Sequence, residues 1–111
     1  MINVTVIKQK QNIKSIQATG HSGYAEQGSD IICSAVSVLM ETLANSLTEI
    51  VKAEIKVIVD EEIPHLMVEL IEKDDQKCKN AQLLMKTTVL GLKGVEGEYG
   101  KYIKITEKHN D

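Results

Sequence analysis

The chain has 111 residues, of which 42% are hydrophobic and 26% are charged, a composition that suits one globular domain with a single core. It contains no Phe or Trp, so the core must be aliphatic. Its net charge of −3 argues against broad electrostatic binding of nucleic acid, which relies on clustered Lys and Arg. By this composition we expect the longest apolar runs to be far short of a bilayer span, and residues 1–4 lack the basic and apolar regions of a signal peptide. We therefore expect a cytoplasmic protein with no membrane partner.

The cysteines and histidines argue against a metal site. Cys33 and Cys78 permit at most one disulfide, and in a reducing compartment the default is two free thiols. The three histidines are scattered, and no pair of Cys or His residues has the close spacing of metal ligands. We therefore expect neither a metal nor another cofactor.

The first half of the chain predicts a hairpin followed by a long helix. Apolar residues alternate over residues 2–8 and, more weakly, over 13–19, and a polar turn joins these two strands. Residues 31–51 then carry apolar side chains at intervals of three and four, which predicts a helix with one buried stripe. Cys33 lies in the first turn of this helix, near the edge of the stripe.

The second half repeats this order of elements. The pattern predicts strands over 54–60 and 65–72, a helix from Asp74 or Asp75 to about Lys93 that Gly94 ends, a loop to Gly100, a strand over 102–106 and a frayed tail. The resulting order, ββαββαβ, predicts a single α+β domain. Because short turns join antiparallel strands, we expect one layer of antiparallel-type sheet with two helices on it.

The residues with chemical potential cluster between the first hairpin and the first helix. Cys33 lies where first-turn amides favour a thiolate, the nucleophilic form of cysteine. A small buried hydrophobe is the alternative, and position alone does not decide between them. His21 follows Gly20 at the end of a strand and could act as the base if the loop folds back, which Gly23 and Gly28 permit.

Three neighbours of the cysteine are supporting candidates. Asp30 could orient the imidazolium of His21 or cap the helix, and we favour the cap because Asp is common at that position. Ser37 lies one turn beyond Cys33 and could donate to the sulfur or to a substrate, or be an ordinary solvated serine. The backbone amides of Cys33 and Ser34 are candidate oxyanion donors, since amides at a helix start lack partners within the helix.

These residues resemble the signature of a known family. Gly20-His21-Ser22, Gly28 and the run from Asp30 to Ser37 (DIICSAVS) are similar to the motif of the bacterial ribosomal-processing cysteine proteases, the Prp family. The likeness extends along the chain to Tyr102-Ile103. One departure is Gly100, where relatives often carry Pro.

The resemblance implies a cytoplasmic, homodimeric cysteine endopeptidase whose single catalytic domain spans residues 1–111. Such enzymes remove an N-terminal extension from large-subunit ribosomal protein twenty-seven, cutting after an aromatic residue. By match to the motif, His21 is the acid/base and Cys33 the nucleophile, with Asp30 and Ser37 in support. The loop that carries Ser22, Gly23 and Gly28 moves in that family when substrate binds.

Two other functions are open at this point. In a non-enzymatic, ribosome-associated binding module, His21 and Cys33 would be structural, and the thiol would resist mild alkylation until the protein unfolds. In a thiol-based redox sensor, Cys78 would have to resolve an oxidised Cys33 through a reversible disulfide.

Overall fold

The computed structural model describes residues 1–21, 23–24, 30–61 and 65–110. In those segments the elements follow the predicted order, ββαββαβ. The strands are β1 (Ile2–Gln9), β2 (Asn12–Thr19), β3 (Ile55–Asp60), β4 (His65–Leu70) and β5 (Ile103–His109); the helices are α1 (Ile31–Ser46), which continues as a π-helical turn (Leu47–Val51), and α2 (Asp75–Tyr99).

The strands form one sheet in the order β3-β4-β2-β1-β5. Three of its pairings, β1 with β2, β2 with β4 and β3 with β4, are antiparallel, as expected from short turns. The pairing of β5 with β1 is parallel and begins at Ile2 opposite Ile103. A parallel pair needs a long crossover, and α2 supplies part of the chain that returns to the starting end of β1.

Both helices cover the same face of the sheet, and the core between the two layers is aliphatic. Its fully buried larger side chains are Ile16, Ile32, Met40, Leu43, Leu47, Met85, Leu92, Ile103, Val4, Val6 and Val68. Helix α1 packs on β4, whereas α2 packs on β2 and β5. These helix positions leave the edge strand β3 without a helix above it.

The helix-facing side of β3 is consequently open. Val57 and Val59 pair with Val68 and Leu66 of β4, and directly paired residues share a face of the sheet. Val68 is fully buried, yet Val57 and Val59 are 43% and 63% exposed. Five strands span roughly 24 Å, whereas two packed helices cover about 20 Å, so a strip along one edge stays open.

The end of α2 differs from the prediction. The helix does not stop at Gly94, and no loop covers residues 94–100, because α2 continues to Tyr99. Val95 and Tyr99 pack against the core. The Glu96 carboxylate accepts a hydrogen bond from the Ile105 amide at 2.8 Å, so this last part of the helix is tied to β5.

The predicted last strand and frayed tail also need correction. Strand β5 extends to His109, which pairs with Lys8, and the Asn110 amide still donates to the Lys8 carbonyl at 2.8 Å. The Glu107 carboxylate lies 3.5 Å from the Lys8 ammonium and 3.3 Å from that of Lys93. The polar composition of this stretch hid the strand, because an edge strand can carry charged side chains.

The helical run over residues 31–51 corrects the expectation that no segment is long enough to span a bilayer. This run has 21 residues, and an 18-residue window within it has a mean hydropathy of 1.4, so it is long and apolar enough by length and composition. The apolar stripe of this run packs inside the protein core, and its buried members include Ile32, Val36, Met40, Leu43 and Leu47.

Candidate active site

Gly20 directs the chain from β2 into the candidate site. Its φ of +92° is a conformation that side chains disfavour, and a Cβ atom built there would lie 2.5 Å from the Met1 carbonyl oxygen. Only glycine relieves both constraints. His21, the next residue, is exposed at the end of this turn.

Asp30 is the N-cap of α1, the role that we favoured from the sequence. Its Oδ1 accepts hydrogen bonds from the amides of Ile32 at 3.0 Å and Cys33 at 3.1 Å. The residue is only 7% exposed, so its carboxylate depends on these bonds to offset the loss of water.

The same carboxylate holds the thiol of Cys33. The Cys33 Sγ donates a hydrogen bond to Asp30 Oδ2 at 3.2 Å, and the side chain is half-buried against the core. In this geometry the thiol is the donor and the carboxylate is the acceptor. Formation of a thiolate therefore requires the proton to pass to another group.

The first-turn amides are not free, contrary to the expectation for an oxyanion hole. The Cys33 amide donates to the Asp30 carboxylate, and the Ser34 amide donates to the Asp30 carbonyl oxygen at 3.2 Å. The Ser34 hydroxyl donates to that same carbonyl at 3.1 Å. The Asp30 carboxylate thus satisfies the Cys33 amide, which a helix start would otherwise leave open, whereas the Ser34 amide makes the first hydrogen bond within the helix.

A cleft of about 1250 Å³ brings most of the predicted site residues together; His21, Gly23, Asp30, Cys33, Ser34 and Ser37 all line it. In the part of the chain that the structure describes, no hydrogen bond joins His21 to Asp30 or Ser37 to the Cys33 sulfur. The predicted loop residues Ser22 and Gly28 lie outside the described residues.

His65 is a second histidine of this cleft, and sequence reasoning missed it. It pairs with Thr19 in the sheet, which places it beside the end of β2, just before Gly20 and His21. Its Nε2 atom is buried and has no hydrogen-bond partner among the described residues. In the sequence it is one of three scattered histidines, and only the strand register reveals its location.

Sequence reasoning also missed the contacts of Tyr24, which involve residues distant in the chain. Its ring makes edge-to-face contacts with Tyr99, at a centroid distance of 5.8 Å, and with Tyr102, at 5.2 Å. These rings lie at the end of α2 and just before β5. Tyr24 is therefore in contact with residues near the other end of the chain, which sequence spacing does not indicate.

Comparison with known proteins identifies the family. The family model described as cysteine protease Prp matches residues 1–104. The chain belongs to this family. A Prp of Bacillus subtilis strain 168 is 26% identical over 108 residues, which cover 96% of each chain, and one of Staphylococcus aureus strain Mu50 is 22% identical over 109 residues, which cover 97% of this chain and all of the relative. Both relatives are named ribosomal processing cysteine protease Prp.

Solved structures share the Prp fold. SMU.848 from Streptococcus mutans superimposes with a TM-score of 0.87 at 27% identity, covering 99% of this chain and 96% of that one. An S. aureus Prp in complex with a covalently linked product peptide gives a TM-score of 0.88 at 22% identity, over 97% of this chain and all of that one. The predicted α+β fold and the predicted class, a cysteine protease, are confirmed at the level of the family.

Proposed function

We propose that this chain is a cysteine endopeptidase that removes the N-terminal extension of large-subunit ribosomal protein twenty-seven during ribosome assembly. The observation that carries the proposal is the cleft that the half-buried thiol of Cys33 and the exposed His21 both line. Membership of the Prp family supports the class of reaction, and relatives are named for ribosomal processing.

The reaction would use the cysteine as the nucleophile and the histidine as the proton carrier. The thiol gives its proton to His21, and the sulfur attacks the carbonyl carbon of the scissile peptide bond. The carbon–nitrogen bond then breaks as His21 protonates the leaving amine. Water, deprotonated by His21, attacks the acyl-enzyme and releases the new C-terminus.

Asp30 must change its contacts during this cycle. In the structure its carboxylate accepts from the Cys33 thiol and from the Cys33 amide, so the candidate nucleophile and one candidate oxyanion donor are both occupied. We infer that substrate binding draws the carboxylate away from both groups, which delays thiolate formation until a peptide is in place. This gating would spare other cytoplasmic proteins from cleavage.

The roles of the serines follow from their location. Ser37 lines the cleft and is exposed, so its hydroxyl can reach a bound peptide. The amide and the hydroxyl of Ser34 both donate to the Asp30 carbonyl, so they are occupied by the helix itself. From the family resemblance we also infer that the chain cuts after an aromatic residue, acts in the cytoplasm and forms a homodimer.

The two cysteines provide a matched test of the proposal. Cys33→Ala should abolish removal of the extension, a loss of about a thousandfold or more, because the nucleophile is gone. Cys78→Ala should retain activity, since Cys78 is absent from the residues that line the cleft and its thiol donates to the Glu72 carbonyl. Mass spectrometry of the ribosomal protein from the same genome, before and after incubation, measures both.

The outcomes separate the alternatives. Cleavage by Cys33→Ala at the wild-type rate would overturn the assignment of the nucleophile. Absence of cleavage by the wild type, combined with binding of the ribosomal protein, would favour the non-enzymatic binding module.

A further inference from the structure

The cleft continues beyond the catalytic residues as a groove along α1. Cys33, Ser37, Glu41 and Asn45 follow one another at intervals of four, which places them along one flank of the helix, and all four line the cleft. At 1.5 Å per residue, Glu41 lies about 12 Å and Asn45 about 18 Å along the helix from Cys33. The groove is therefore long enough for about five residues of extended peptide.

The opposite side of the groove is apolar and accessible. Val57, Val59 and Leu66 line it from β3 and β4, and both valines are substantially exposed because no helix covers the edge strand. Val38 adds a 60% exposed side chain on the helix side. Apolar side chains of an extended peptide would lose water here with little rearrangement of the protein.

The charge of the groove has one sign. Glu41 and Glu61 are both exposed and line it together with Asp30, whereas its described lining residues include no Lys or Arg. The ion pairs found in the described part of the chain join Glu107 to Lys8 and Lys93, so neither glutamate is neutralised by them. A cationic side chain would find a complementary site on the helix flank.

We propose that Glu41 in the groove recognises a Lys or Arg of the substrate that lies three or four residues from the scissile bond. The substrate side chains between that residue and the scissile bond lie on the exposed surface formed by Val57 and Val59. The spacing follows from the helix, since about 12 Å corresponds to between three and four residues of extended chain. Glu41 is thus a specificity-determining residue. This inference rests on the proposed function.

Charge-swapped peptides test the contact. Peptides that span the processing site would carry Lys or Glu at the third and fourth positions, first on one side of the scissile bond and then on the other. We expect the wild type to prefer the Lys peptides by about three- to tenfold in kcat/KM on one side only, as suits an exposed ion pair. The preference should shrink in high salt.

A matched pair of variants locates the effect. Glu41→Lys should reverse the preference, so that the Glu peptide becomes the better substrate. Glu49→Lys makes the same change at an exposed residue outside the groove and should leave the preference as in the wild type. Circular dichroism confirms that both variants are folded.

The two proposals fail in different ways. Equal kcat/KM for Lys and Glu peptides in both the wild type and Glu41→Lys, with cleavage still dependent on Cys33, would overturn the role of Glu41 alone. Cleavage that persists in Cys33→Ala would overturn the proposed function.

Discussion

Gly20 controls the position of the candidate base through two separate constraints. One is the backbone angle of +92°, and the other is the close approach of the Met1 carbonyl. Gly23 shares only the first among the described residues: its φ is +76°, and none of their atoms lies within 4 Å of a Cβ atom built there. Comparing the two glycines therefore separates the free-energy cost of the positive φ from that of the contact with the Met1 carbonyl.

We expect Gly20→Ala to lower the free energy of unfolding by about 2 kcal/mol or more, because the methyl group must displace the Met1 backbone in addition to bearing the unfavourable angle. It should also displace His21 and reduce peptide cleavage. Gly23→Ala should cost about 1 kcal/mol, from the angle alone. Urea denaturation of both variants measures the difference, and equal losses would contradict the steric role of Met1.

At the scale of single residues, the sequence predicted interactions between neighbours in the chain and missed those between distant residues. Asp30 was identified as a cap because capping is a local interaction, and the structure confirms it. His65 reaches the cleft through strand register, and Tyr24 contacts the rings of Tyr99 and Tyr102, which are distant in the chain. The hydrogen bonds that Asp30 accepts from the thiol and the amide of Cys33 depend on side-chain geometry, which residue types alone do not specify.

Helix α2 shows how element boundaries depend on tertiary contacts. Gly94 and Gly97 lie within the helix with open space around them, whereas a Cβ atom at Gly91 would lie 3.1 Å from Leu39 Cδ2 of α1. Gly91 therefore permits the close crossing of the two helices. Gly94 has no such role in the structure.

Replacement of these glycines should have opposite consequences. Gly94→Ala should stabilise the protein by up to about 1 kcal/mol, since Ala loses less backbone entropy than Gly in a helix. Gly91→Ala should stabilise the protein less than Gly94→Ala, or destabilise it, because the Leu39 side chain must move. Thermal unfolding compares the two, and a destabilised Gly94→Ala would contradict the open surroundings of that residue.

The hydrophobic period predicted the existence and order of every element but not the ends of α2 and β5. Periodicity reports burial, and these ends are held by polar contacts such as the bond from the Ile105 amide to Glu96. Gln82 also makes polar contacts that the hydrophobic pattern does not indicate. This buried residue of α2 both accepts from the Ile13 amide and donates to the Ile13 carbonyl at 2.8 Å, beside the irregularity between β1 and β2.

In the molecule as a whole, Glu72 joins the β3–β4 hairpin to α2. Its carboxylate accepts from the Asp74 amide at 3.1 Å, the Glu54 amide at 2.8 Å and the Lys73 amide at 3.1 Å. These bonds, the one from Asp74 first and the one from Glu54 next, hold the pKa of Glu72 below its usual value. The folded state therefore favours the ionised form.

This shift predicts the direction of the pH dependence of stability. A lowered carboxylate pKa contributes stability that is fully present above the ordinary value of 4.5 and is lost as the pH falls through the lower folded value. We expect the melting temperature to fall on acidification below about pH 4.5, and Glu72→Gln to show a shallower decline than the wild type. Glu49→Gln serves as the control, and an unchanged slope in Glu72→Gln would argue against this contribution.

The parallel pairing of β1 and β5 has a practical consequence for fusion proteins. Both strands start at the same end of the sheet, where Met1 lies against Gly20. Strand β5 finishes opposite Lys8, roughly 20–25 Å from that end. An affinity tag joined ahead of Met1 would emerge beside the turn that presents His21. A tag joined beyond β5 would leave from the far end of the sheet and keep the mouth of the cleft clear for assays.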